Sequence, residues 1–278
     1  MILVTGANGK TGRAIIAQLA EDQHQIRAWV RRPDTKISGA ADLFVGDMLN
    51  ESDWQQAFDG VEKIYHVCPN MHPDEVKIGR MMLIAAKQAN IKHLVYHSVL
   101  HPQVEAMPHH WNKMLVEEMI FASGVQFTIV QPTAYIQNLL PQMKTIKQDG
   151  ILRLPYPATS PISLVDLNDV ARAVAKILAT DHFIGATLEL VGTEPLMQTA
   201  VASILGETFG RSVAFHEIPL DEWAAANSHL PDYVRETLMA MFRYYAQHGL
   251  VGNLAVLKMV LEREPTSFRE WCLASNIS

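Results

Sequence analysis

The stretch that decides the fold is Ile2-Leu3-Val4-Thr5-Gly6-Ala7-Asn8-Gly9-Lys10-Thr11-Gly12. Its first three residues predict a short buried strand, and an apolar pattern typical of a helix follows the last glycine. In this strand–loop–helix setting, Gly6 allows a tight turn, Gly9 lets the backbone approach a diphosphate, and Gly12 lets helix and strand pack closely. Free N–H groups at the helix N-terminus suit the anion. The predicted contacts to the dinucleotide are Gly6, Asn8, Gly9, Lys10, Thr11 and Gly12.

The end of the second predicted strand, residues 26–30, favours one kind of dinucleotide. An NAD site usually has an Asp or Glu there, which accepts hydrogen bonds from the ribose hydroxyls. Here the strand ends in Arg31 and Arg32, and guanidinium groups suit a 2′-phosphate. Lys10 would add a further cation. The alternative is that the two arginines are a solvated surface pair. The pattern predicts NADP(H) as the preferred cofactor and leaves NAD(H) open.

Strands and helices alternate along the first half of the chain. Apolar runs predict further strands at 43–45, 63–67, 94–97 and 127–130, with helical segments between them. This order predicts an α/β fold of the Rossmann type, a doubly wound parallel sheet with a smaller, mostly helical C-terminal substrate lobe. We expect residues 1–131 to form the NAD(P)-binding core, with 162–191 returning to the sheet. Residues 132–161 and 192–278 are expected to form the substrate lobe.

Two further turns follow predicted strands and are candidates for cofactor contact. Asp47 and Met48 follow the third strand, where an adenine would lie, and Val67, Cys68 and Pro69 follow the fourth. Ligands of open α/β sheets bind at the carboxyl ends of the strands. Taken singly, each of these segments could equally be an ordinary turn.

Composition excludes several other classes of protein. The 278 residues carry a net charge of −6, which gives no general attraction to nucleic acid or to anionic membranes. The two cysteines are far apart, and the histidines between 93 and 110 lack the spacing of zinc ligands. The chain starts without a leader-like segment and has no apolar run long enough to span a bilayer. We expect a cytoplasmic protein without a metal site, a direct nucleic-acid partner or a membrane partner.

Several motifs together resemble the NmrA-like branch of the atypical short-chain dehydrogenases/reductases. They are the Thr5–Gly12 loop, Val30-Arg31-Arg32-Pro33, Gly46-Asp47, the segment 131–138 (QPTAYIQN), the segment 162–171 (ISLVDLNDVA), Pro219-Leu220-Asp221-Glu222-Trp223 and Phe268-Arg269-Glu270-Trp271. The resemblance spans nearly the whole chain. In 131–138 the sequence departs from the family pattern, because Gln131 replaces an arginine. The family includes NADPH-dependent reductases of quinones and aromatic dyes as well as regulators that sense the cofactor, so the resemblance leaves the substrate open.

The same resemblance directs attention to a lysine. Ordinary short-chain dehydrogenases place a tyrosine four residues before a lysine that holds the nicotinamide ribose. Here Lys113 is well placed, but His109 stands at the tyrosine's position. Isoflavone-type reductases implicate a lysine at the corresponding point of this helix. Ser98 follows the fifth strand, where the superfamily carries a serine that hydrogen-bonds the substrate carbonyl; the alternative is a hydroxyl that satisfies local backbone.

Three interpretations of this segment remain open. In the first, Lys113 positions the ribose or transfers a proton, assisted by His109 or His110. In the second, hydride passes to an electron-poor acceptor such as a quinone, and water protonates the product. In the third, the site is catalytically silent.

Aromatic residues in the second half, Tyr135, Tyr156 and Trp223, are candidates for contact with a substrate. We therefore predict an NADPH-dependent oxidoreductase that reduces a small aromatic, quinone-like or carbonyl acceptor. The alternative is a non-catalytic NADP(H)-sensing regulatory protein. A nucleotide-sugar epimerase is a weaker alternative, since it would normally need the missing tyrosine. A homodimer or a regulatory protein partner remains open.

Overall fold

A computed structural model describes residues 1–274 of the chain. The strands are β1 Ile2–Val4, β2 Ile26–Val30, β3 Asp42–Val45, β4 Lys63–His66, β5 His93–His97, β6 Phe127–Pro132, β7 Ala134–Tyr135, β8 Ile151–Leu154, β9 Leu164–Val165, β10 Thr187–Leu190 and β11 Ala214–Glu217. The α-helices are α1 Lys10–Glu21, α2 Glu51–Ala57, α3 Glu75–Gln88, α4 Pro108–Ser123, α5 Leu140–Asp149, α6 Leu167–Ala179, α7 Gln198–Phe209, α8 Leu220–Ala226, α9 Asp232–His248, α10 Ala255–Leu261 and α11 Phe268–Ala274. A 3-10 helix covers Ile136–Leu139. The expected lobe extends to residue 278, and its last four residues lie outside the described part.

The main sheet confirms the predicted fold class. Seven parallel strands lie in the order β10-β6-β5-β4-β1-β2-β3. The chain winds outward in one direction from β1 to β3 and in the other from β4 to β10, so the order reverses between β1 and β4. Loops that leave the two adjacent strands at such a reversal point form the crevice where this fold binds nucleotides. The glycine loop follows β1, and Val67 follows β4.

The first half of the sequence has uninterrupted apolar runs because its strands are covered on both faces. Leu3, Ile64 and Leu94 lie on adjacent strands and are fully buried. On β2, Trp29 packs against Trp54 of α2 with ring centroids 4.4 Å apart. Buried aromatic pairs of this kind stabilise a core beyond the area that they bury.

The chain divides into two compact units. The first comprises residues 1–103, 109–131 and 170–188, and the second comprises 104–108, 132–169 and the chain from residue 189 onward. The first unit contains β1 to β5, most of β6, and helices α1 to α3. The second contains two small parallel sheets, β7 with β9 and β8 with β11, together with α5 and α7 to α11. Among residues 1–274, no helix combines the length and the apolar character that crossing a bilayer would need.

The predicted domain bounds included residues 162–191 as a segment that returns to the sheet. Only β10 joins that sheet, whereas β9 pairs with β7. The reason lies in the hydrogen bonds just before β9. The N–H of Ile162 donates to the carbonyl of Leu196 and that of Ser163 to Leu250, so this backbone is satisfied within the second unit.

Candidate functional site

The glycine loop has the backbone geometry that the sequence predicted. Gly6 adopts a left-handed φ of +56°, and a Cβ there would lie 2.8 Å from the carbonyl oxygen of Val67. Gly12 is buried in α1, where a Cβ would lie 2.7 Å from the Cα of Ala7. Both positions therefore require glycine, the first for its conformation and the second for close packing. Gly9 donates its N–H to the Gly6 carbonyl at 2.9 Å and closes the turn.

Helix α1 starts at Lys10 and is well suited to receive an anion. Its N-cap residue is Gly9, which has no side chain to cap the helix and is exposed. The side chain of Asn8 is held by Arg13, whose guanidinium donates to Asn8 Oδ1 at 2.5 Å and to the Asn8 carbonyl at 3.2 Å. This brace fixes the loop in front of the helix. Thr11 lies in the first turn and is half-buried. The positive end of the helix dipole thus faces an exposed loop.

The end of β2 carries the two predicted arginines. Arg31 and Arg32 are exposed, and no ion pair of theirs is found among residues 1–274. Arg27, on the same strand, behaves differently, because its guanidinium donates to Asp42 at 2.6 Å and to two backbone carbonyls. Arg27 is therefore structural, whereas Arg31 and Arg32 keep their charge available to a ligand.

The turns after β3 and β4 serve the fold in this structure. Asp47 Oδ1 accepts from the N–H of Leu49 at 2.9 Å, and the carbonyl of buried Met48 accepts from the Trp54 indole. Val67 donates its N–H to Thr5 Oγ1 at 2.9 Å. These contacts order the turns, and the role of the predicted residues towards a cofactor stays a prediction.

The remaining two residues of the β4 turn differ in exposure. Cys68 is buried, and burial raises the pKa of its thiol well above the usual value, whereas Pro69 is exposed. A neutral, buried thiol is a poor nucleophile. Cys68 is therefore a buried, uncharged side chain of this turn.

Lys113 is buried and ion-paired. Its ammonium donates to Glu75 Oε1 at 2.6 Å and to the carbonyl of His97 at 3.0 Å, and it lies 5.3 Å from the centre of the Tyr96 ring. Glu75 is only 1% exposed and also accepts from the Tyr96 hydroxyl at 3.2 Å. Glu75 was not predicted from the sequence, because an acidic residue in the first turn of a helix is ordinary.

The close approach of α3 to α4 explains why Glu75 reaches Lys113. Gly79 lies one turn after Glu75, and a Cβ at this position would lie 2.8 Å from Val116 Cγ1 of α4. Val116 in turn lies three residues after Lys113. The absence of a side chain at Gly79 therefore lets the two helices pack closely enough for the ion pair.

His109 occupies the position at which a tyrosine was expected, and it faces the same carboxylate. Its Nδ1 lies 3.6 Å from Glu75 Oε2. Within residues 1–274, neither of these two buried atoms has a hydrogen-bond partner. Burial, followed by the Lys113 charge, lowers the pKa of His109 well below its usual value. The neighbouring His110 is also buried, and its Nδ1 lies 3.2 Å from the carbonyl of His101.

Ser98 belongs to a second buried cluster. Its hydroxyl donates to Glu117 Oε1, and the amide of Gln131 donates to both oxygens of Glu117 at 3.0 Å. Burial raises the pKa of Glu117 despite these donors. Gln131, which replaces the family's arginine, thus holds this carboxyl without bringing a charge. Ser98 is directed towards Glu117 in this arrangement.

A line of buried contacts connects the glycine loop to Lys113. Thr5 Oγ1 lies 2.9 Å from His66 Nδ1, and the His66 ring stacks on Tyr96 at 5.9 Å. Tyr96 in turn donates to Glu75. Burial, then the Lys113 charge, lowers the pKa of both His66 and His97 to about 3. The imidazoles in this line are neutral at physiological pH. The part of the chain that the structure describes holds no cluster of three metal-ligating side chains.

The second unit contains a group of aromatic side chains. Phe242 of α9 lies 4.9 Å from Trp223 of α8 and 6.0 Å from Tyr156, measured between ring centroids. Trp223 and Tyr156 are both half-buried, and burial raises the pKa of the Tyr156 hydroxyl. Two of the three predicted aromatic residues therefore share a neighbour. The third, Tyr135, is half-buried in β7.

The strand order and the glycine loop define a protein with the Rossmann-like NAD(P)-binding fold. The profile of the NmrA-like family matches residues 1–272, and the chain belongs to this family. This result confirms the resemblance that the sequence motifs indicated.

Three related proteins illustrate the range of the family. The NAD(P)H azoreductase of Xenophilus azovorans is 26% identical over 99% of this chain and 97% of its own. An NADPH-dependent quinone oxidoreductase of Escherichia coli, solved with NADPH, has a TM-score of 0.86 at 24% identity and covers 98% of both chains. NmrA, a negative transcriptional regulator solved with NADP, has a TM-score of 0.82 at 20% identity, covering 98% of this chain and 94% of that one. Both structural likenesses establish the fold alone.

Proposed function

We propose that the protein is an NADPH-dependent oxidoreductase that reduces a small aromatic, quinone-like or carbonyl acceptor, as a cytoplasmic enzyme. The observation that carries the proposal is the buried Lys113–Glu75–His109 group, connected to the glycine loop through Thr5, His66 and Tyr96. Charged groups sequestered beside a nucleotide loop are costly to fold and are typical of reaction centres. The azoreductase and quinone reductase relatives support the same reaction class.

The cofactor proposal rests on the loop and on the end of β2. The Gly6–Gly12 loop and the N-terminus of α1 would hold the diphosphate, and Arg31, Arg32 and Lys10 would hold the 2′-phosphate. Asp47 and Met48 would flank the adenine. The turn Val67–Pro69 would contact the middle of the cofactor. The bound nicotinamide would supply the hydride.

The protein's own residues would then orient the reactants and handle the proton. Lys113 would anchor the nicotinamide ribose, and His109 would transfer a proton. Ser98 would hydrogen-bond the acceptor only after its hydroxyl exchanges Glu117 for that partner. Tyr135, Tyr156 and Trp223 would pack against an aromatic acceptor. A quinone needs little more than orientation, because its reduced product is readily protonated by water.

A second candidate is a non-catalytic NADP(H)-sensing regulator with a protein partner. Two features favour it: His109 replaces the usual tyrosine, and Lys113 is ion-paired with Glu75. Together they leave the site without the usual general acid. The similarity to the regulator NmrA agrees with it.

Steady-state NADPH oxidation distinguishes the two candidates. The assay uses a panel of quinones, azo dyes and aromatic carbonyl compounds, with His109→Asn as the site variant and exposed Glu118→Gln as its control on the same helix. We expect acceptor-dependent oxidation that falls in the His109 variant and persists in the control. Tight NADPH binding without turnover of any acceptor would reject the enzyme and favour the sensor.

A further inference from the structure

The two buried atoms without partners in the site face each other. Glu75 Oε2 and His109 Nδ1 are 3.6 Å apart, slightly beyond hydrogen-bond distance, and a shift of a few tenths of an ångström would satisfy both. Buried polar atoms are nearly always paired in folded proteins, because an unpaired one loses its hydration without compensation. The geometry therefore favours a direct contact between this carboxylate and this imidazole.

The charge on Glu75 determines the direction of that contact. Its other oxygen receives the Lys113 ammonium at 2.6 Å and the Tyr96 hydroxyl at 3.2 Å, which is the arrangement of a carboxylate in an ion pair. An ionised carboxylate can only accept hydrogen bonds. The hydrogen on the neutral His109 ring must then reside on Nδ1, so Nε2 carries the lone pair.

The exposure of His109 agrees with this assignment. Its side chain is 8% exposed while Nδ1 is buried, so the accessible part lies elsewhere on the ring. Nε2 is the ring nitrogen left for a substrate.

We propose that Glu75 is the positioning residue of the site, since Oε1 holds Lys113 while Oε2 fixes His109 as the Nδ1–H tautomer and leaves Nε2 as the proton-transfer atom. This inference rests on the proposed function for its catalytic consequence, although the tautomer can be measured independently. Nε2 takes a proton from a hydronium ion of the solvent, which leaves as water, and Glu75 stabilises the resulting imidazolium. After hydride from NADPH reaches the acceptor, the Nε2–H bond breaks, the proton passes to the new oxyanion, and the electron pair returns to Nε2.

Every charged or titratable neighbour of His109 bears on this step. Lys113 and His110 face it from α4, His97 faces it from β5, and Glu75 faces it from α3. The first three lower the pKa of His109, and within residues 1–274 Glu75 is the one carboxylate that faces it. Loss of that charge therefore disfavours proton transfer.

The tautomer is measured by two-bond ¹⁵N–¹H correlation spectra of protein labelled at histidine, with His109→Asn to assign the signal. We expect the Nδ1–H form in the wild type. In Glu75→Gln, the single amide oxygen stays with Lys113 and the NH2 group faces Nδ1, so His109 changes to the Nε2–H form. Glu118→Gln, an exposed change on α4, leaves the tautomer unaltered. An Nε2–H form in the wild type, or one tautomer shared by wild type and Glu75→Gln, would overturn the proposal. The wild-type spectrum alone decides if Glu75→Gln does not fold.

Kinetics separate this proposal from the proposed function. With an acceptor that the wild type reduces, Glu75→Gln should lower kcat about 100-fold, as expected for a lost general acid. Its KM for NADPH should change by less than about twofold, because the amide oxygen of Gln keeps Lys113 in place. The alkaline limb of its pH–rate profile, where the general acid loses its proton, should move to lower pH. An unchanged kcat and profile would overturn the role of Glu75 alone, whereas absence of wild-type turnover would reject the proposed function and leave the spectra to decide the tautomer.

Discussion

Replacing Lys113 by Met removes the positive charge from a buried ion pair and keeps an apolar side chain of similar length. Glu75 would remain 1% exposed, with the Tyr96 hydroxyl at 3.2 Å as its nearest donor. Leaving one charge of a buried pair without its partner typically costs about 3–5 kcal/mol.

In Lys113→Met, protonation of Glu75 would limit the loss in the free energy of unfolding and would make this loss depend on pH. At pH 7.5, neutralising a carboxyl group with an ordinary pKa near 4.3 costs about 4 kcal/mol, since each unit is worth about 1.4 kcal/mol. The same step at pH 6 costs about 2 kcal/mol. In the variant, the native state holds a proton that the unfolded state releases, so its deficit in stability grows as pH rises.

Urea unfolding, followed by the near-ultraviolet signal of the buried Trp29–Trp54 pair, measures this deficit in the first unit. We expect Lys113→Met to lose about 4 kcal/mol at pH 7.5 and about 2 kcal/mol at pH 6. The double variant with Glu75→Gln should lose the pH dependence. Lys92→Met, which breaks an exposed ion pair, is the control and should change little. A deficit below about 1 kcal/mol, or one independent of pH, would refute the buried pair.

Three other predictions follow from the same geometry. His66 and His97 have folded pKa values of about 3, below the unfolded value, so the unfolded state binds more protons between pH 6.5 and 3. They should together lower stability by about 3 kcal/mol between pH 7.5 and 5.5, and a thermal midpoint that does not fall in this range would contradict their neutral burial. Gly12→Ala forces a Cβ to within 2.7 Å of the Cα of Ala7. Calorimetry should find the free energy of unfolding lowered by about 1–3 kcal/mol, together with much weaker NADPH binding. Unaltered NADPH binding would contradict the loop geometry. Trp223→Ala should raise KM for an aromatic acceptor and leave NADPH affinity unchanged, and an unaltered KM would remove Trp223 from the substrate site.

The main sheet could be predicted because its signals are local. The run Ile2–Val4, the glycine spacing and the long apolar strands each report a buried strand or a tight turn through a few neighbouring residues. The β9 segment could not be placed in the same way. Its partner β7 is only two residues long, and its preceding backbone bonds reach Leu196 and Leu250, which are distant in sequence.

The residues of the candidate site also differ in whether the sequence marks them. Lys113 and His109 were identified through the resemblance to the short-chain dehydrogenases, in which residues at this spacing on one helix are a tyrosine and a lysine. Glu75 and Glu117 were missed, because each pairs across 38 or 19 residues with Lys113 or Ser98, and nothing near either carboxylate marks it as buried. The close helix packing at Gly79, which brings Glu75 into place, is visible only in three dimensions.

The assignment of the cofactor depends on Arg31 and Arg32, and the affinity for NADPH relative to NADH tests it most directly. Fluorescence titration of the wild type, of the double variant Arg31→Ala with Arg32→Ala, and of exposed Arg80→Ala as a control measures this ratio. We predict that the wild type and the control bind NADPH at least about 10-fold more tightly than NADH, because one charge-assisted contact to the 2′-phosphate is worth about a factor of 10 in affinity. The double variant should lose this preference. Equal affinity of the wild type for both cofactors, or a double variant that keeps the preference, would contradict the assignment.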